Sequence, residues 1–300
     1  KPRVGPWAQQ AIPEDAVFSR VAADDLLPPT LLLDASTLAV AAKTNFDAGK
    51  RPAISVRGLC KSFGGGALYT GLDLDIPRGR FISIFGPNGC GKSTLINLMA
   101  GLIPVDGGEI LFDGRPVKDV TIGYVFQNYR DALFPWMSAR DNIEYPLLVR
   151  GQPVAERKRR VDELVAQFEV GFDLKSRPSD LSGGQQQLVS ILRALAPKPE
   201  VMFLDEPFSA LDYEMTLFIR DKLQTVFAQT GVTMLLVSHD LEEAVYLADH
   251  VLLLSKRPTQ VADIVDVVAS RPRTDSTLSE PAFIASKVKS LQIFQREVRR

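Results

Sequence analysis

Cysteine is scarce in this 300-residue chain, which holds only Cys60 and Cys90, far apart and in no CxxC or metal-ligand spacing. That excludes a disulfide-stapled scaffold and suits a reducing compartment, so the chain reads as cytosolic. Long apolar runs are also missing. The stretch 26–42 is broken by Pro28, Pro29 and Asp34, and the stretch 233–254 by His239, Asp240, Glu242, Glu243 and Asp249. Neither offers the roughly eighteen uninterrupted apolar residues that a spanning helix needs, so the chain does not cross a membrane by itself. No charge sign dominates, with 35 basic against 36 acidic residues and a net charge of -1, so no overall field draws nucleic acid or anionic lipid. No periodic repeat is visible. The sequence begins at Lys1 and not at a methionine, so it carries no evidence about a targeting segment. What remains is ample apolar material, 45% of residues, for one large domain or two small ones.

The most informative stretch is Gly86, Pro87, Asn88, Gly89, Cys90, Gly91, Lys92, Ser93 and Thr94. It follows the apolar run 81–85 and leads into the helical pattern 95–99, so it lies where a strand turns into a helix. That is the P-loop setting. Its glycines let the backbone curl around phosphate oxygens, and the helix start adds the positive end of its dipole. Lys92 would hold the β- and γ-phosphates of a nucleotide, and Ser93 would ligate Mg²⁺. A plain glycine turn would leave the Lys-Ser pair unexplained.

Residues 1–50 carry no sustained period and read as an appended arm, with short helices expected between Pro13 and Ala23 and between Asp34 and Ala42. From Ala53 alternating strands begin, and Phe63 precedes the turn Gly64-Gly65-Gly66, where an aromatic ring could stack on adenine. Strands are expected at 109–112 and 122–126, the latter ending at Gln127. The loop from Asn128 to Trp136 is rich in aromatics, which marks a buried loop or a contact surface. Helices are expected over 141–150 and 154–170, with Val161, Leu164, Val165 and Phe168 on one stripe and the basic run 157–160 on a solvated face.

Leu181, Ser182, Gly183, Gly184 and Gln185 open a further helix, and Ser182 can cap it. The two glycines leave backbone N–H groups bare there, a second anion site. The run 201–204 is continuously apolar, as for a strand buried on both faces of a parallel sheet, and it ends in Asp205-Glu206. Carboxylates at such a strand end lie where open α/β sheets bind ligands. Asp205 suits Mg²⁺ and Glu206 suits a general base for an attacking water. The strand 232–237 ends in Ser238-His239, while His250 reads as structural. Ser279, Glu280 and Pro281 start a last helix. Its stripe of Ile284, Val288, Leu291, Phe294 and Val298 is expected to pack on the domain.

Six motifs in this order and spacing make the chain from about 53 to 255 resemble an ABC transporter nucleotide-binding subunit. The resemblance implies an α/β P-loop NTPase core with a mostly parallel sheet, an antiparallel β-subdomain and a helical signature subdomain. It implies an N-terminal extension over 1–50, an ATPase domain over 51–270 with its helical subdomain at about 130–185, and a helical tail over 271–300. Phe63 would match the adenine-stacking A-loop, Gly86 to Thr94 Walker A, Gln127 the Q-loop, Leu181 to Gln185 the signature, Asp205 and Glu206 Walker B with the catalytic base, Asp212 the D-loop, and His239 the switch histidine. Catalysis would fall to Glu206, His239, Gln127 and Lys92, and Mg²⁺ to Ser93, Gln127 and Asp205.

The family works as a head-to-tail dimer, here of two copies or of this chain with a homologous ATPase subunit, in which Ser182 and Gly184 of one subunit close on the γ-phosphate held by the other. Two anion sites on one chain are thereby accounted for. The partners would be transmembrane permease subunits and, indirectly, a solute-binding protein, at the cytoplasmic face of the inner or plasma membrane; no nucleic acid is expected. A narrower resemblance, to the nitrate, sulfonate and taurine type of importer, rests on Phe134-Pro135-Trp136, the run 207–212, Ser255-Lys256-Arg257-Pro258 and Arg271-Pro272-Arg273. Leu188 and Leu192 depart from the family pattern and are expected to alter packing of the signature helix or its partner contacts. A soluble ABC ATPase acting on ribosomes or DNA would carry tandem cassettes or a long coiled-coil insertion, which this chain lacks. A non-catalytic scaffold would not need Lys92, Glu206 and His239 together.

Overall fold

A computed structural model of the chain describes residues 46, 52–128, 132–209 and 211–299. The two short helices expected before residue 45 lie outside the described residues.

Three runs of five wholly buried residues form the centre: β3 (Phe81–Phe85), β6 (Val201–Asp205) and β7 (Thr233–Val237). With β5 (Ile122–Val125), β8 (His250–Leu254) and β9 (Val261–Asp266) they make a six-stranded sheet in the order β5-β6-β7-β3-β8-β9. All neighbours are parallel except β9, which runs antiparallel along one edge. A second, antiparallel sheet holds β2 (Gly66–Ile76), β1 (Ile54–Phe63) and β4 (Gly107–Phe112) in that order. Both sheets answer the sequence patterns: continuous apolar runs where both faces are covered, alternation where one is.

The period of two along each central strand sorts side chains into two cores. Ile82, Ile84, Phe203, Leu235 and Val237 face helix α1 (Lys92–Met99) and the antiparallel sheet. Phe81, Phe85, Met202, Leu204 and Leu236 face the remaining helices. Burying each such side chain contributes about 1.5–3 kcal/mol of transfer free energy. Helices α2 (Ala139–Val149) and α3 (Val154–Gln167) occupy the expected helical stretch, and α3 buries Val161 and Leu164. Its basic run is less solvated than expected. Arg157 pairs with Glu144 at 2.7 Å, and Arg160 donates to Leu195 O and Ala196 O. Those carbonyls end α4 (Gly183–Leu195), so Arg160 satisfies a helix terminus. Leu188 and Leu192, the departures from the family pattern, are both buried in the helix-side core.

Helices α5 (Tyr213–Thr230) and α6 (Leu241–Leu247) follow β6 and β7. Arg271 and Arg273 serve α6. Arg273 Nη1 donates to Val245 O, Tyr246 O and Ala248 O at 3.0, 2.8 and 2.6 Å, and Arg271 Nη2 donates to Leu247 O. Burial lowers the Arg273 pKa to about 10, which leaves it charged at neutral pH. Together the two arginines cap the carboxyl end of a helix that has only seven residues.

The last helix, α7 (Pro281–Arg299), begins at the proline that marked its start and packs on the domain, but by a different face from the one the apolar stripe suggested. Phe283, Ser286, Ser290, Ile293 and Glu297 are buried, whereas Ile284, Val288, Leu291 and Val298 are exposed. Phe294 alone of the stripe turns inward, its ring 5.1 Å from that of Phe85. Small serines allow close approach to β9, with Ser286 Oγ donating to Asp266 O at 3.4 Å. Close fit thus outweighs the larger apolar residues. His250 is structural, as expected, with Nδ1 2.7 Å from Asp266 Oδ1 and its ring edge-on to Phe46. Both cysteines are free. Among the described residues no helix is long and apolar enough to cross a membrane.

Candidate active site

Parallel pairing brings three strand ends level. Ile84 is in register with Val237, and Val237 with Asp205, so the P-loop after β3, the carboxylates ending β6 and His239 after β7 emerge at one end of the sheet. The loop folds around its own lysine. Lys92 Nζ donates to Gly86 O at 2.9 Å and Pro87 O at 3.3 Å, and the side chain is buried. Gly91, in the left-handed conformation, caps α1 with no side-chain bond, so the amides at the helix start stay uncapped by side chains. Cys90 is buried behind the loop, and burial raises its thiol pKa, so it is an inert packing group.

Ser93 Oγ donates to Asp205 Oδ1 at 2.7 Å. Asp205 is buried, and desolvation raises its pKa even though the Ser93 bond pulls the other way. A hydroxyl and a carboxylate are hard oxygen donors of the kind that Mg²⁺ takes. Tyr124, whose hydroxyl donates to Asn97 Oδ1 at 2.6 Å, supports this corner; burial and the neighbouring Asp205 push its pKa up.

Glu206 has φ 45°, a left-handed backbone that a side-chain-bearing residue adopts at a cost of about 1–3 kcal/mol. Its N–H is fixed to Val237 O at 2.9 Å. The strain turns the side chain out of strand alternation toward Gln127 and His239. Gln127 Nε2 donates to Glu206 Oε2 at 2.7 Å, and His239 Nδ1 lies 3.4 Å from the same oxygen. Lys92, Ser93, Gln127, Asp205, Glu206 and His239 are therefore grouped at the sheet end.

The other expected residues pair elsewhere. Ser182 caps α4, accepting from Gln185 N at 3.3 Å while Gln185 Oε1 accepts from Ser182 N at 2.9 Å. Asp212 caps α5 by accepting from Met215 N at 2.8 Å. Gly184 has a packing reason that the sequence did not disclose: a Cβ there would come within 2.6 Å of Met215 Cγ. Phe63, at the end of β1, is half-exposed beside Lys61, whose Nζ lies 5.4 Å from the ring centroid. In the aromatic loop Leu133 is buried and Trp136 exposed, so it is both a packed loop and a surface.

Four residues of this region escaped sequence reasoning. Gln187 is buried, and its Nε2 donates to Pro207 O at 2.7 Å, tying the signature helix to the residue after Glu206. Tyr69, Arg257 and Thr259 donate to the P-loop from outside. Only Arg257 carried a sequence signal, within the run 255–258, and that signal pointed to a family branch instead of a contact.

Residues 69–209 match the family model described as ABC transporter. An aliphatic sulfonates import ATP-binding protein of Bacillus licheniformis is 36% identical over 81% of this chain and 94% of its own length. A spermidine/putrescine import ATP-binding protein of Aggregatibacter actinomycetemcomitans is 39% identical over 69% of this chain and 56% of its own. Among solved structures, a dimeric post-hydrolysis state of an ATP-binding cassette bound to ADP and Pi aligns with TM-score 0.64 and 29% identity, over 72% of this chain and all of that one. The chain belongs to the ABC transporter family as one of its ATP-hydrolysing, ATP-binding domains. The α/β P-loop fold that the motifs implied is the fold observed. A sulfonate importer agrees with the narrower branch, whereas a polyamine importer matches at similar identity, so the branch is not singled out.

Proposed function

We propose that this chain is the ATPase subunit of a multi-chain importer for a small solute. The observation that carries the reading is the grouping of two triads: Lys92, Ser93 and Asp205, suited to phosphate and cation, and Gln127, Glu206 and His239, suited to water activation. In this reading Gly86 to Thr94 cradle the triphosphate and Phe63 stacks on adenine. Ser93, Asp205 and Gln127 would hold Mg²⁺, which when bound would neutralise phosphate charge. Glu206 takes a proton from the attacking water, with Gln127 and His239 orienting it.

Ser182 and Gln185 of the signature, and the D-loop Asp212, make their hydrogen bonds at the starts of their own helices. A dimeric cassette among the similar solved structures supports a head-to-tail dimer in which Ser182, Gly183, Gly184, Gln185 and Asp212 serve the other copy's nucleotide. Closure would follow from ATP binding the closed dimer better than the open one. Residues 51–270 would form the catalytic domain, with permease subunits docking beside the exposed Trp136 and a solute-binding protein engaged indirectly, all at the cytoplasmic face of the membrane. The relatives' cargoes include sulfonates and polyamines. For this chain we favour an anion such as nitrate, a sulfonate, taurine or bicarbonate, on the motifs 134–136 and 255–258. Co-purification from native membranes tests this reading: a permease and an anion-binding partner are expected, and recovery of ribosomal or DNA-repair proteins alone would overturn it.

A further inference from the structure

Three consecutive carbonyls of the P-loop are held from outside by side chains of two other elements. Arg257 Nε donates to Gly89 O at 2.7 Å, Thr259 Oγ1 to Cys90 O at 2.7 Å, and the Tyr69 hydroxyl to Gly91 O at 2.8 Å. Thr259 and Tyr69 are buried and Arg257 is exposed. These donors are joined to one another. Thr259 N donates to Leu68 O at 2.8 Å, one residue from Tyr69, and Ser255 closes the β8–β9 turn by donating to Gln260 O at 3.0 Å. The turn and β2 therefore act as one brace.

A peptide unit is planar and trans, so the N–H after each carbonyl points the opposite way. Holding the carbonyls of Gly89, Cys90 and Gly91 outward turns the amides of Cys90, Gly91 and Lys92 away from the brace. The first of these donates to Pro87 O at 3.2 Å and closes the loop on itself. Those of Gly91 and Lys92 lie at the start of α1, where helix dipole and lysine both favour an anion.

Gly89 and Gly91 adopt φ 74° and 101°. Glycine tolerates either sign of φ, so contacts must hold the loop's shape: from within, Leu95 N donates to Gly91 O at 2.8 Å and Lys92 Nζ to Gly86 O at 2.9 Å, and from outside the brace acts. Gly91 shows how close the brace comes, since a Cβ there would lie 2.8 Å from the Tyr69 hydroxyl. The Arg257 charge also reaches Cys90 and Tyr69, opposing the rise that burial gives both.

We infer that Arg257, backed by Thr259 and Tyr69, is a positioning residue for nucleotide: it presets the amide cradle and sets a guanidinium behind the loop that takes the polyphosphate. Preorganisation of this kind raises affinity by removing the ordering cost from the binding step. The inference rests on reading Gly86 to Thr94 as the phosphate loop.

The test is ATP binding by the full-length chain, with steady-state hydrolysis and melting temperature measured alongside, for Arg257→Met, Arg257→Lys and Lys92→Ala. Loss of one charge-assisted bond predicts that Arg257→Met weakens ATP binding by about tenfold. Turnover at saturating ATP and the nucleotide-free melting temperature should hold, and Arg257→Lys, which keeps charge and donor, should recover most of the affinity. Normal ATP binding by Arg257→Met, with binding lost in Lys92→Ala, would overturn the inference and leave the phosphate loop standing. A fall in Arg257→Met that tracks a lowered melting temperature would also overturn it. Unchanged binding in Lys92→Ala would remove the phosphate-loop reading and the inference with it.

Discussion

Gln127 and Glu206 meet across the end of the parallel sheet, Nε2 donating to Oε2 at 2.7 Å, and His239 Nδ1 approaches that same oxygen at 3.4 Å. Both neighbours therefore engage one and the same oxygen of the Glu206 carboxylate. In the proposed reaction Glu206 takes the proton and His239 orients the water, and misplacing a reactant costs up to about a hundredfold. His239→Ala should therefore lower turnover by up to about a hundredfold while the KM for ATP changes little. Steady-state kinetics check this, and a variant that loses affinity but keeps turnover would move His239 from chemistry to binding.

Asp205 is a buried carboxylate whose pKa is raised by desolvation. A raised acid keeps its proton to higher pH when folded than when unfolded. Its favourable contribution is thus full below the ordinary carboxylate range, near pH 4, and is lost as pH rises through the raised value. As pH rises, the desolvated carboxylate increasingly opposes folding. Asp205→Asn should raise the melting temperature of the nucleotide-free chain at pH 7, with the gap closing toward pH 4, and should abolish hydrolysis. Thermal scans at the two pH values decide the first point, and a lower melting temperature at pH 7 would contradict it.

Gly184 and Met215 share one small space at the start of the signature helix. Gly184→Ala should destabilise by about 1–3 kcal/mol through overpacking. Met215→Ala in the same chain should recover part of that loss, a coupling that a double-mutant cycle by denaturant unfolding measures. Additive losses would show that the contact is not the cause.

The sequence made the sheet legible because its central strands are continuous apolar runs that end in chemistry: Phe85 before the P-loop, Leu204 before Asp205, Val237 before Ser238. It made the motif residues legible by spacing. What it hid depends on contacts between distant segments. The α7 stripe misled because Ser286 and Ser290, small enough for close packing, were chosen over Ile284 and Val288. The basic run on α3 looked solvated because nothing local shows that Arg160 meets the end of α4. Thr259 and Gln187 have no signature of their own, since a hydroxyl or an amide becomes functional only through the carbonyl it meets.

If Glu206, held in a strained left-handed backbone beside Gln127 and His239, activates the water that hydrolyses ATP, turnover must depend on its carboxylate. Turnover by wild type and Glu206→Gln, measured with the membrane partners present, tests it most directly. The amide keeps the shape and loses the base, so turnover should fall by about a hundredfold or more while ATP binding persists. Equal turnover in the two proteins would contradict the assignment.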